Sequence, residues 1–97
     1  MRASFNPEAL AEVEEAARWY RTNGGARTSH TFSQEIRRIV ELAVEQPGLG
    51  SPGLHGTSRL YLRRFPYTLI FRIQNDILRV IAIAHQSRRP GYWAGRH

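Results

Sequence analysis

Tyr67-Thr-Leu-Ile-Phe-Arg-Ile-Gln-Asn-Asp-Ile-Leu-Arg-Val-Ile-Ala-Ile-Ala-His85 decides the fold. Two runs rich in aliphatic residues flank Asn75-Asp76, a pair that tolerates the left-handed backbone of a two-residue hairpin turn. With that turn Gln74 faces Ile77, and pairing extends as 72 with 79, 70 with 81 and 68 with 83. The alternate set is Tyr67, Leu69, Phe71, Ile73, Leu78, Val80, Ala82 and Ala84, apolar throughout. It is the face expected to pack beneath helices. A one-residue slip would mix the two sets, so the separation itself favours this register.

The opposite face then carries Thr68, Ile70, Arg72, Gln74, Ile77, Arg79, Ile81, Ile83 and His85. A preceding strand over about 58–64 turns Leu60 and Leu62 inward and leaves Arg59, Tyr61 and Arg63 on that outer face. Two features mark it as an interaction surface. Ile70, Ile81 and Ile83 would form an exposed apolar patch. Arg72 and Arg79 would lie opposite each other, where like charges cost about 0.2–1 kcal/mol unless they splay into water or hold an anion between them.

Upstream, Met1–Phe5 reads as a short edge strand, and Asn6-Pro7 as the cap and first residue of a helix. Leu10, Val13, Ala16, Ala17 and Tyr20 recur at helical spacing as far as Gly24-Gly25, the expected stop. A second helix over about 26–45 carries Phe32, Ile36, Ile39 and Ala43 on one stripe and ends before Pro47-Gly48. The short glycine link makes the pair an antiparallel hairpin. A Gly- and Pro-rich loop over 46–57 leads into the sheet, and a basic tail occupies 86–97. The expectation is one α+β domain over 1–97: an edge strand, and a helical hairpin (about 7–45) on one face of a three- to four-stranded antiparallel sheet (58–85).

Charge is divided along the chain. Residues 1–50 hold six arginines and seven glutamates; residues 51–97 hold eight arginines and a single acid, Asp76. There is no lysine and no cysteine. Forked guanidinium groups suit phosphate or carboxylate partners, and the lack of cysteine excludes disulfide and thiolate-metal chemistry. His30, His55 and His97 lack ligand spacing, so neither a metal nor a cofactor is expected. No apolar run is long enough for a membrane span, and a cytoplasmic protein is the simplest reading. His85 suits a proton donor or a backbone hydrogen bond at a strand end. Tyr92 and Trp93 suit stacking on a base or partner, or folding back over the sheet edge.

Several of these residues together resemble the ParE/RelE superfamily of bacterial toxins from type II toxin–antitoxin systems. They are Asn-Pro-Glu-Ala-Leu opening the helix, Trp19-Tyr20, Phe32 with Glu35-Ile36, Arg59, the Phe65-Pro66-Tyr67 turn, Ile-Ala-Ile-Ala-His85 and Arg88-Arg89-Pro90. The resemblance implies an antitoxin whose extended or helical segment wraps the toxin, in a hetero-oligomer with it. It also implies one of two targets. RelE-like members cut messenger RNA on the ribosome without metal, using cations and a tyrosine on the exposed sheet face. On that pattern Arg59, Arg88 and Tyr92 are the catalytic candidates, while Thr68 and Tyr61 replace two expected basic residues. ParE-like members poison DNA gyrase, and the Phe-Pro-Tyr turn and His-Gln-x-Arg-Arg-Pro tail are closer to them. Either way the expected surface for target or antitoxin is Tyr61, Arg63, Ile70, Arg72, Arg79, Ile81, Ile83, His85, Arg89 and Trp93. A basic nucleic-acid-binding module without toxicity and a degenerate toxin that keeps only the fold are the remaining alternatives.

Overall fold

The computed structural model describes residues 1–97. Strand β1 (Arg2–Phe5) leads into a long helical segment α1 (Pro7–Glu45), followed by β2 (Ser51–Pro52), β3 (Ser58–Tyr61), β4 (Tyr67–Gln74) and β5 (Ile77–His85). The strands form one mixed sheet in the order β1-β5-β4-β3-β2. It is larger than the expected antiparallel sheet for two reasons. β1 pairs in parallel with the first half of β5, Arg2 opposite Ile77 to Phe5 opposite Val80. Ser51–Pro52, inside the expected loop, pairs with β3.

Asn6 starts α1 as read from the sequence: its Oδ1 accepts from the Glu8 and Ala9 N–H groups at 2.7 and 3.3 Å. The expected two helices with a glycine loop between them are instead one continuous helical segment with a single break. Gly25 alone leaves helical geometry (φ 87°, ψ 167°), a region essentially reserved for glycine. A straight helix of 39 residues would span about 58 Å, whereas the longest dimension of the molecule is 38 Å. The segment therefore bends back on itself at Gly25. Ser29 Oγ donates to the Ala17 carbonyl across the bend at 2.7 Å, and the rings of Tyr20 and Phe32 lie 5.2 Å apart.

The core fills the space between α1 and one sheet face. Ala9, Ala16, Phe32, Ile36, Ile39 and Ala43 from the helix meet Leu69, Phe71, Leu78, Val80 and Ile83 from the sheet. Leu10, expected in the buried stripe, is 48% exposed, because Ala9 takes the inward position next to the cap. Glu35 ties the second arm of α1 to the β3–β4 connection: it accepts from the Arg38 guanidinium at 2.7 and 2.8 Å and from Arg63 N–H at 2.6 Å. The Arg38 hydrogen bond, reinforced by that of Arg63, holds its carboxyl below the ordinary carboxylate value.

Asn75 and Asp76 both have positive φ (53° and 61°), and the register from Gln74 opposite Ile77 to Phe71 opposite Val80 is the one read from the sequence. Beyond it the pairing slips. A bulge at Ile81 sets Ile70 opposite Ala82, Leu69 opposite Ile83 and Tyr67 opposite His85. One extra residue on β5 inverts the facing of everything after it. Ile83 therefore enters the helix-side core, and the expected inward Ala82 turns to the other face. β3 also stops at Tyr61, three residues early, where the chain turns through Arg64 at φ 69°. No helix is long and apolar enough to cross a membrane.

Candidate functional site

After His85 the chain reverses, with Arg88 N–H donating to the His85 carbonyl at 3.0 Å. Turns centred on Gly91 (φ 77°) then lay the tail across the outer face of the sheet. Trp93 packs on Ile70, Ile81 and Ala82, and all four are buried. This corrects the expected surface at four positions. Ile70 and Ile81 are covered by the tail, Ile83 faces the helices, and Trp93 is the cover itself, 6% exposed.

The tail is held by Glu12, on the first arm of α1. Its carboxylate accepts from the Tyr92 hydroxyl at 2.5 Å and from Arg96 Nη1 and Nη2 at 2.8 and 3.2 Å. It also accepts from the Ile83 N–H at 3.0 Å. Arg96 reaches Glu8 as well, at 3.3 Å. The chain ends between Asn6 Nδ2 and Arg79 Nε, which both donate to the His97 oxygen at 2.9 and 3.2 Å. Burial, and then the bond to Glu12, push the Tyr92 phenol far above its ordinary value of 10. A hydroxyl so held keeps its proton, directed at Glu12, and resists ionising to the phenolate.

Arg72 and Arg79 are paired across the strands as expected, but their side chains diverge. Arg72 donates to the His55 carbonyl at 3.0 Å, and Arg79 to Ser4 Oγ at 2.6 Å and the Phe5 carbonyl at 3.0 Å. Both guanidinium groups are thus engaged by neighbouring residues.

What remains open is a cleft of about 170 Å³ between the outer sheet face, the 53–57 loop and the tail. Arg59, Tyr61, Thr68, His85, Arg88 and Arg89 line it, with Ile70, Tyr92 and Trp93 among its walls. Arg59, Arg88 and Arg89 form no salt bridge, the only salt-bridged arginines being Arg38 and Arg96. Arg88 lies over the Tyr92 ring, its guanidinium carbon 3.9 Å from the centroid. Tyr61 stands 59% exposed at the rim. His85 Nδ1 accepts from Ser87 N–H at 3.0 Å, which leaves Nε2 as the protonated nitrogen of a neutral ring. The cleft can hold anionic groups among three arginines and the aromatic side chains of Tyr61, Tyr92 and Trp93.

Of the sequence-derived candidates, the cleft thus gathers Arg59, Tyr61, His85, Arg88 and Arg89 as accessible groups. Arg63 lies elsewhere, beside Arg64 on the helix side of the sheet near Glu35. Glu12 and Arg96 were not singled out by the sequence, and at a separation of 84 residues no local pattern links them. His85 also borders a second, larger groove of about 800 Å³ under α1. Trp19 (60% exposed), Tyr20, Phe65 and Tyr67 line it, with Arg64 and Arg88 at its margin.

Residues 3–90 match the profile of the ParE toxin of the type II toxin–antitoxin system parDE. Among solved structures, a chain of the chromosomal ParDE system from P. aeruginosa superposes with a TM-score of 0.77 at 19% identity. The overlap covers 88% of this chain and 95% of that one, a likeness of fold. No curated protein matches.

Proposed function

The chain belongs to the ParE toxin family of type II toxin–antitoxin systems, and from that premise we propose that it inhibits DNA gyrase by binding and is neutralised by a cognate antitoxin. The observation that carries the binding mode is the set of unpaired Arg59, Arg88 and Arg89 beside Tyr61 in one cleft. Uncompensated guanidinium groups around an aromatic rim suit an acidic protein surface or phosphates at an enzyme–DNA junction. A gyrase-directed toxin would act in the bacterial cytoplasm.

Ribosome-dependent cleavage of messenger RNA is the second reading, favoured by Arg59, Arg88 and His85 lining the same cleft. It is the weaker one. The Tyr92 hydroxyl is committed to Glu12, and Thr68, 8% exposed on the cleft floor, stands where a nuclease of this superfamily would want arginine. General acid–base transfer needs a group within hydrogen-bond reach of the reacting proton. The test is a paired assay: the purified chain with gyrase and relaxed plasmid, and separately with translating ribosomes. Lost supercoiling with intact message supports the binding reading; codon-position cleavage with normal supercoiling replaces it by the nuclease reading.

A further inference from the structure

Thr68 lies on the floor of the cleft and is 8% exposed. Its hydroxyl makes no hydrogen bond within the chain, yet no buried polar side-chain atom is sealed away without a partner. The hydroxyl therefore opens onto the cleft that Thr68 lines. A nearly buried hydroxyl left unpaired forfeits a hydrogen bond that a ligand can restore. Ile70, Ala84 and Trp93 make the walls around it apolar. The space they enclose is about 170 Å³, close to the ~150 Å³ of a cavity that holds one benzene molecule. One planar ring fits it.

The charge around that slot has a single sign. Arg59, Arg88 and Arg89 line the cleft and no acidic residue does. None of the three forms a salt bridge. Arg88 is set in place before a ligand arrives: its guanidinium carbon sits 3.9 Å from the centre of the Tyr92 ring, and Glu12 fixes that ring through its hydroxyl. A stacked guanidinium keeps its N–H donors for an anion, and a donor already positioned loses less freedom on binding. Tyr92 and Trp93 lie beyond residue 90, outside the stretch that matches the family profile, so this wall is not part of the matched pattern.

We propose that the cleft binds a nucleotide unit ending in a free phosphate, its planar base in the slot against the Thr68 hydroxyl and its phosphate among Arg59, Arg88 and Arg89. A carboxylate side chain is a poorer fit, because it brings one charge to three guanidinium groups and leaves the apolar walls unfilled. A phosphodiester within a strand also carries one charge, whereas a terminal phosphate carries about 1.5–2 at pH 7. Guanidinium forks take phosphate oxygens in pairs. The same unit occurs as a free nucleotide and as the 5′ end of a strand. It gives a ligand to the cleft on which the gyrase reading rests, and because binding is measured without gyrase, either can fail alone.

Isothermal titration calorimetry of the full chain at fixed salt compares thymidine 5′-monophosphate with thymidine and with inorganic phosphate. It also compares a four-thymidine strand carrying a 5′-phosphate with the same strand ending in a 5′-hydroxyl. The monophosphate should bind at least about tenfold more tightly than either of its parts, and any binding of the strand should require the phosphate. Arg88→Gln should lose about tenfold of the monophosphate affinity, and Thr68→Val, which removes the hydroxyl at similar volume, several-fold. Tighter binding of the monophosphate than of the phosphorylated strand makes a free nucleotide the ligand; the reverse makes it a strand end. Monophosphate binding no better than that of inorganic phosphate leaves a generic anion patch and overturns the proposal, as does equal, measurable binding of the two strands. Full affinity in both variants places the ligand elsewhere and overturns it as well. Absence of binding by every probe overturns it, while lost supercoiling in the gyrase assay would keep the gyrase reading standing. Should a variant fail to fold, the wild-type comparisons decide.

Discussion

Replacing Glu12 by glutamine keeps the volume of the side chain and removes its charge. The carboxylate accepts hydrogen bonds from Tyr92, from two nitrogens of Arg96 and from Ile83 N–H, all donors. Glutamine keeps one acceptor oxygen and turns an NH2 group toward those donors. Hydrogen bonds to a charged group contribute about 1.5–3 kcal/mol, and leaving one partner of a buried pair alone costs about 3–5 kcal/mol. Glu12 and Arg96 retain 14% and 12% exposure, so water relieves part of that cost. The expected loss is roughly 2–3 kcal/mol, which lowers the melting temperature of a domain this small by roughly 10–20 °C. Urea unfolding followed by far-ultraviolet circular dichroism measures it, with an unchanged slope as the sign that the two-state transition is kept. A double-mutant cycle with Arg96→Gln should show coupling above about 0.5 kcal/mol. If Glu12→Gln unfolds at the wild-type midpoint, the tail is not anchored as described.

Three further outcomes follow from the same contacts. Because the folded-state pKa of Glu35 is depressed, its stabilisation is fully present above its ordinary value of 4.5 and lost as pH falls through the lower folded value. Glu35→Gln should therefore be less stable than wild type at pH 7, with the gap closing in acid titrations of stability. Gly25→Ala has room for the added methyl but forces alanine to φ 87°, ψ 167°. It should cost about 1–3 kcal/mol by thermal melting, and a smaller change would mean that the bend tolerates another geometry. Trp93→Ala uncovers Ile70 and Ile81 and should cost about 3–5 kcal/mol, with binding of an apolar dye to the exposed face as a second readout.

Legibility from sequence followed the range of the interactions. The Asn75-Asp76 turn and the four pairs nearest it are local, and turn chemistry with alternation defines them. The bulge at Ile81 is not local. In Val-Ile-Ala-Ile-Ala, large and small apolar residues suit either phase, so nothing in the pattern signals the extra residue. β1 beside β5 and Glu12 beside Arg96 join the two ends of the chain, where no periodicity applies. That Arg59, Tyr61, His85, Arg88 and Arg89 gather around one cleft was legible because strand facing and the turn after His85 fix their positions. The partners of Arg72 and Arg79 were not legible, because their register was visible in the sequence while the groups that hold them were not.

Gyrase supercoiling of relaxed plasmid, titrated with the wild-type chain and with an Arg59→Gln/Arg88→Gln variant, tests the binding function most directly. Wild type should abolish supercoiling in a dose-dependent way, and the variant, whose altered residues hold no part of the core, should need at least tenfold more protein. Undiminished supercoiling at saturating wild-type chain, or equal inhibition by the variant, would contradict a gyrase inhibitor acting through this cleft.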